Sequence, residues 1–236
     1  MFELSAAYYD AVYAFKDYAA EAVRLHTFIS SRMPQARTLL DAACGTGAHL
    51  SHLREHYQVS GFDIDPGLLA VARGRLPDVP LMQSDMLTVD LDQTYDVVTC
   101  LFSSIGYVTT LDNLHAALRA LRRHVAPGGL LIIEPWFTVE QFHDRYLNLV
   151  TVNQPDLKLA RMTLTEVQRA DPVTRSILHF QYLVGTSQGL STFGEDHVLG
   201  LFSDAHYRAA YEHAGLTGIE FIEEGLDGRG LYVGRG

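Results

Sequence analysis

Hydrophobic residues recur at helical spacing over the first 34 positions, where Tyr8, Val12 and Phe15 share one face. Ala22, Leu25, His26 and Ile29 share another, and Pro34 stops that second helix. Short apolar runs then alternate with helical stretches. Thr38-Leu39-Leu40 reads as a buried strand, and Leu50, Leu53 and Tyr57 give Ala48 to Tyr57 a helical face. Val59 to Asp65 is a second strand ending in acids, with Pro66 opening a helix. Pro80 to Met86 is a third strand, Tyr95 to Phe102 a fourth and Leu130 to Glu134 a fifth. Leu111 to Val125 lies between the last two as an amphipathic helix, with Ala126-Pro127-Gly128-Gly129 as its stop. Strand-helix alternation of this kind predicts a parallel sheet covered on both faces.

From Leu147 to Phe202 the period shifts to two. Leu149 to Val152, Ala160 to Val167, Ser176 to Val184 and His197 to Leu201 read as strands, with turns at Gln154-Pro155-Asp156, Ala170-Asp171-Pro172 and Ser187-Gln188-Gly189. This is expected to be an antiparallel insertion over the ligand edge of the sheet. Ser203 caps a last helix, stopped by Gly215, and Ile219 to Glu224 with Gly230 to Gly234 form a closing hairpin.

Charge and composition narrow the function classes. A net charge of −10 argues against a nucleic-acid surface, which needs clustered Lys and Arg. The two cysteines, Cys44 and Cys100, match neither a disulfide framework nor a zinc cluster. Met1 to Leu4 has no basic leader character, and no apolar run is long enough to span a bilayer. A cytoplasmic setting is expected, and the sequence leaves open whether the chain forms a homodimer.

The chemistry concentrates at Asp41-Ala42-Ala43-Cys44-Gly45-Thr46-Gly47, a strand-to-helix turn. Glycines there let backbone approach a ligand and aim helix N–H groups at it. Leu50 occupies the third position of the dinucleotide pattern G-x-G-x-x-G, and no GK[ST] follows. Asp63 falls about 20 residues after Asp41, the spacing of one βαβ unit, and suits the hydroxyls of a ribose. Asp65, beside Pro66, better suits the helix terminus. His49, His52 and His56 stand at helical offsets without a companion carboxylate or Cys, and read as a solvated face rather than a metal site. His26, His115, His124 and His213 also read as helix-surface residues. Ser103 and Ser104 lack the G-x-S-x-G elbow of a hydrolase.

The strand-turn-helix with acid and G-x-G resembles the first motif of class I S-adenosylmethionine-dependent methyltransferases. The runs KDYAAEA, LLDAACGTG, LFSSIGY, EPW and GLDGRGLYVG extend the likeness over nearly the whole chain. They are similar to the N,N-dimethyltransferases of nucleotide-linked amino sugars. The resemblance implies a doubly wound, mostly parallel, Rossmann-like seven-stranded α/β sheet within residues 1–236. Its parts would be a helical cap (1–34), a cofactor core (35–146), the antiparallel insertion (147–202) and a C-terminal helix and hairpin (203–236). It implies S-adenosyl-L-methionine as cofactor, held by Tyr18, Asp41, Ala43, Gly45, Gly47, Asp63, Ile64, Asp85, Met86 and Leu101. Asp85 would meet the adenine amino group and Met86 N–H a ring nitrogen.

The resemblance puts Tyr107 beside the transferred methyl, with Tyr13, Glu134, Trp136 and Arg229 as candidate substrate contacts. A phenol with an ordinary pKa of about 10 is a poor base at neutral pH, so Tyr107 is expected to orient the amine. Core packing is an equal alternative for Tyr13 and Trp136, and a structural hydrogen bond for Glu134. An exposed Arg229 guanidinium between Gly228 and Gly230 would suit a pyrophosphate. The expected activity is metal-free, in-line N-methylation of a nucleotide-linked amino sugar. Methylation of another small metabolite at N or O is the alternative, and a non-catalytic cofactor-binding module is a third.

Overall fold

The computed structural model of the protein describes residues 5–226 and 228–236. The reading of Met1 to Leu4 as lacking leader character lies outside the described residues. After a 3-10 turn at Ala6–Tyr8 come α1 (Tyr9–Val12), α2 (Tyr18–Arg32), β1 (Thr38–Ala42), α3 (Ala48–Leu53), β2 (Gln58–Asp63), α4 (Pro66–Arg75), β3 (Leu81–Gln83) and β4 (Tyr95–Cys100). A second 3-10 turn, Ser104–Val108, precedes α5 (Leu111–Arg123) and β5 (Val125–Ile133). The meander β6 (Leu147–Asn153), β7 (Lys158–Gln168), β8 (Arg175–Thr186) and β9 (Gly189–Gly200) follows, then α6 (Asp204–His213), β10 (Thr217–Ile222) and β11 (Leu231–Arg235).

The seven-stranded sheet has the order β10-β11-β5-β4-β1-β2-β3, with β11 antiparallel to both neighbours. Successive side chains on its central strands point to opposite faces and enter separate cores. Leu40, Val98 and Leu131 pack with α5 and α6, whereas Leu39, Val97 and Ile132 pack with α2 and α3. That double burial explains why these strands read as continuous apolar runs. The chain order reverses between β1 and β4, so their carboxyl ends flank the crevice where open α/β sheets take ligands.

The four-stranded antiparallel sheet has the order β6-β7-β8-β9. Its buried face carries Val152, Leu159, Phe180, Tyr182 and Val184, packed on Val12 of α1. This explains a departure at the N-terminus, where α1 is a single turn and Phe15 is 73% exposed instead of sharing a buried face. Tyr8 and Tyr13 pack under the meander, and the chain breaks between α1 and α2 to place them there. β9 is also longer than expected, because its polar first half is held by pairing with β8. The Pro127-Gly128-Gly129 segment lies within β5 at a register shift.

The Asp65 side chain accepts from Gly67 N (2.8 Å) and Leu68 N (3.1 Å), capping α4 as expected. Ser203 caps α6. Two histidine expectations are corrected. His49 is buried and shares Glu21 with Lys16, at 2.7 Å from Glu21 Oε2. His124 is 1% exposed and accepts from Leu91 N at 2.8 Å, satisfying a loop that the helix pattern could not reveal. Both cysteines are free and buried. Among the described residues no helix is long and apolar enough to cross a membrane, and no cluster suits a metal ion.

Candidate active site

The loop after β1 turns on left-handed residues, with φ of +54° at Ala43, +55° at Gly45 and +72° at Gly47. A Cβ on Gly47 would lie 2.9 Å from Leu76 Cδ1, so the turn and its seat against α4 both require glycine. Asp63, 6% exposed at the tip of β2, splits its carboxylate between two backbone donors: Gly45 N on Oδ2 and Asp65 N on Oδ1, each at 2.8 Å. Burial raises its pKa, and the two N–H groups work against that rise. Each oxygen keeps one more acceptor position for a ligand hydroxyl.

Three cavities meet above this loop, and Ala43 and Ser104 line all of them. The first has acids at its rim (Asp63, Asp85) and apolar walls (Ile64, Met86, Val108). It has the chemistry of a nucleoside site. The second is bounded by Tyr18, Asp41, Gly45, His49 and Leu101. Asp41, buried at the end of β1, accepts from Thr99 Oγ1 at 2.7 Å, and burial pushes its carboxyl up to about 6. An anionic floor suits the ammonium group of a zwitterionic amino-acid tail.

The third cavity is aromatic, with Tyr9, Tyr13, Phe102, Trp136 and Phe180 around Tyr107, and Leu178 and Leu199 supplied by the meander. Phe102 and Ser103 have φ of +51° and +62°, a left-handed pair that needs support. Glu134 Oε2 accepts Phe102 N at 2.6 Å, and Ser103 Oγ donates to Pro135 O at 2.7 Å. Arg229 donates to the other Glu134 oxygen from Nε (3.2 Å) and from its terminal nitrogen (2.9 Å). The expectation of an exposed guanidinium is therefore corrected: the Arg229 side chain is 12% exposed and ion-paired, because a fully buried Glu134 demands a countercharge.

The remaining polar and aromatic candidates also acquire partners. Arg161 donates to Tyr13 Oη at 3.0 Å, and Trp136 Nε1 donates to Ser176 Oγ at 2.9 Å, while both rings still line the aromatic cavity. Tyr18 sits edge-on to His49 with ring centroids 4.9 Å apart. Asp85 Oδ1 accepts Leu87 N at 2.9 Å. Tyr107 Oη lies 2.7 Å from His197 Nδ1, and burial raises the phenol pKa far above its ordinary value. His197, Phe180, Leu178 and Leu199 were invisible as site residues in the sequence, where they read only as strand positions of the insertion.

A methyltransferase-domain family matches residues 39–129. The chain is 38% identical over 220 residues to dTDP-3-amino-3,4,6-trideoxy-alpha-D-glucopyranose N,N-dimethyltransferase of Streptomyces venezuelae, covering 93% of this chain and 91% of that one. The crystal structure of Streptomyces venezuelae DesVI, 38% identical, superposes with a TM-score of 0.84 over 93% of this chain and 92% of the other. S-adenosylmethionine-bound CalS10, an amino pentose methyltransferase of Micromonospora echinaspora involved in calicheamicin biosynthesis, gives 36% identity and a TM-score of 0.83 over 100% and 97%. With its reversed-order sheet, its glycine loop and its acid at the second strand tip, the chain belongs to the S-adenosylmethionine-dependent methyltransferases, in the family that includes the nucleotide-linked amino-sugar N,N-dimethyltransferases.

Proposed function

We propose that this enzyme N-methylates the amino group of a nucleotide-linked amino sugar. The observation that carries the reading is the convergence of the three cavities at Ala43 and Ser104, with Tyr107 lining both the nucleoside and the acceptor cavity. It is supported by relatives that act on dTDP-amino sugars and align along nearly the whole chain.

Bound S-adenosylmethionine supplies an electrophilic methyl group on a sulfonium. Asp63 and Asp85 would hold its nucleoside end, and Asp41, Gly45 and Tyr18 its amino-acid tail. The aromatic wall of Tyr9, Tyr13, Phe102 and Trp136 excludes water from the acceptor side. Tyr107 stays a phenol at neutral pH, since burial disfavours the phenolate. In the His197 tautomer that carries its proton on Nε2, the phenol donates to Nδ1, 2.7 Å away, and its oxygen presents lone pairs to the cavity. Such an oxygen would accept an amine N–H and so fix the direction of the nitrogen lone pair. Rate enhancement then comes from approximation and orientation. Arg229 contributes through Glu134 and the backbone of Phe102 rather than as a free pyrophosphate clamp.

The test is incubation with methyl-labelled S-adenosylmethionine and dTDP-3-amino-3,6-dideoxy-α-D-glucose, with analogues bearing the amine elsewhere on the ring, followed by mass spectrometry. One or two added methyl groups are expected on the amine of at least one of them. Tight cofactor binding with no methyl transfer to any amino-sugar nucleotide overturns the reading.

A further inference from the structure

The acceptor cavity does not end at Tyr107. Behind it His197, fully buried on β9, lies with Nδ1 2.7 Å from the Tyr107 oxygen and Nε2 3.6 Å from Glu195 Oε2; the tautomer with its proton on Nε2, facing the carboxylate, leaves Nδ1 to accept from the phenol. Glu195 is itself anchored: its oxygens accept from Ser5 N at 3.1 Å and Ser5 Oγ at 2.6 Å. A line of titratable groups thus runs from the cavity wall through the meander, from Tyr107 to His197 to Glu195. Phe180 covers the imidazole at a centroid distance of 4.8 Å and keeps water off it. Nothing in the orientation of an amine by Tyr107 requires a histidine there, since any acceptor would hold the hydroxyl.

From this line we infer that His197, acting through Tyr107, takes up the proton that the acceptor amine carries into the site. The inference rests on the N-methylation proposed above. Sugar amines enter water largely as ammonium ions, and an ammonium has no lone pair to attack a methyl group. In the inferred step the ammonium N–H gives its proton to Tyr107 Oη while the Tyr107 hydroxyl proton passes to His197 Nδ1. The amine becomes neutral, the phenol is regenerated and the imidazole becomes imidazolium. Glu195 then faces a cation, so the buried charge is paired within the line. The imidazolium loses its proton to water when the site opens for product release.

The surroundings fit an imidazole that is neutral at rest. Burial lowers the His197 pKa and Arg161 on β7 acts in the same direction, whereas Glu195 opposes both. Burial first, and the acids Asp63 and Glu195 after it, disfavour a Tyr107 phenolate, so Tyr107 can pass a proton on but cannot store the charge. His197 is the group in the line that can.

The variants His197→Asn and Tyr107→Phe separate this role from mere positioning. Asparagine can still accept the Tyr107 hydroxyl but cannot take a proton. For an amine of pKa about 8, about one-tenth is neutral at pH 7, so His197→Asn should lower kcat/KM there by up to about ten-fold and by little above about pH 9. Tyr107→Phe should show the same acid-side loss on top of a pH-independent one. An unshifted profile, or an equal loss at every pH, overturns the inference. Imidazole NMR of the substrate-free enzyme provides a second readout: the His197 ring should be neutral at pH 7 with its proton on Nε2. A charged ring, or a proton on Nδ1, overturns the inference whatever the substrate. Turnover by the wild type in the same assays reports separately on the amino-sugar reading.

Discussion

Glu134 Oε2 and the backbone N–H of Phe102 stand 2.6 Å apart, and that bond holds a left-handed Phe102 in the wall of the acceptor cavity. The other oxygen of the same carboxylate is held by Arg229. A residue near the C-terminus therefore shapes the cavity from behind, through one buried acid.

Arg229→Ala leaves Glu134 buried without its countercharge, and unfolding should cost about 3 kcal/mol less than in the wild type. The acceptor KM should rise as Phe102 shifts. Adding Glu134→Gln should recover part of the stability, because the amide oxygen still accepts Phe102 N without a charge. Denaturant titration of the double-mutant cycle measures the coupling, and additive effects would show that the pair is not a unit.

Asp63 accepts a backbone N–H on each carboxylate oxygen. Asparagine can accept on one side only and would turn an NH2 toward the other donor. Asp63→Asn should therefore weaken S-adenosylmethionine binding about as much as Asp63→Ala, by about ten-fold or more, through lost ribose bonds and a displaced Gly45. Isothermal calorimetry decides, and an affinity kept by Asp63→Asn would place the ribose elsewhere.

The Asp41 carboxyl, pushed up to about 6 by burial, gives binding a pH dependence. Its pKa in the folded state exceeds the unfolded value of about 3.9, so the native state holds this proton more tightly and its contribution to stability falls as pH rises through that interval. A cationic amino-acid tail favours the carboxylate. Cofactor affinity should accordingly strengthen as pH rises through about 6 and then level off, with proton release below it. Asp41→Asn should remove this component, and an unchanged pH dependence in that variant would separate Asp41 from the tail.

Gly47→Ala places a Cβ on a residue at φ +72° and within 2.9 Å of Leu76 Cδ1. Stability should drop by about 1–3 kcal/mol, and the loop should lose affinity for the cofactor. Gly45→Ala, with open space at the Cβ position but φ of +55°, should cost less stability. Thermal denaturation of the two variants compares backbone strain with side-chain collision, and equal losses would assign the whole effect to φ.

Much of this protein was legible before folding, because local rules govern it. Each parallel strand is an apolar run since both of its faces are buried, as Leu39 and Leu40 show by entering different cores. The glycines follow from positive φ, and the acid at Asp63 from the length of a βαβ unit. Asp65 and Ser203 announce their caps by side-chain chemistry alone. What tertiary structure decided is pairing across distance. Arg229 read as an exposed cation until a fully buried Glu134, 95 residues earlier, was seen to need it. His49 looked like part of a solvated helix face until Glu21 supplied a partner from another helix. His197 carries no local signal, since a strand position records only which face a side chain takes. That its face lies behind Tyr107, 90 residues away, depends on the meander folding back over the sheet edge, and no pattern along the chain encodes that distance.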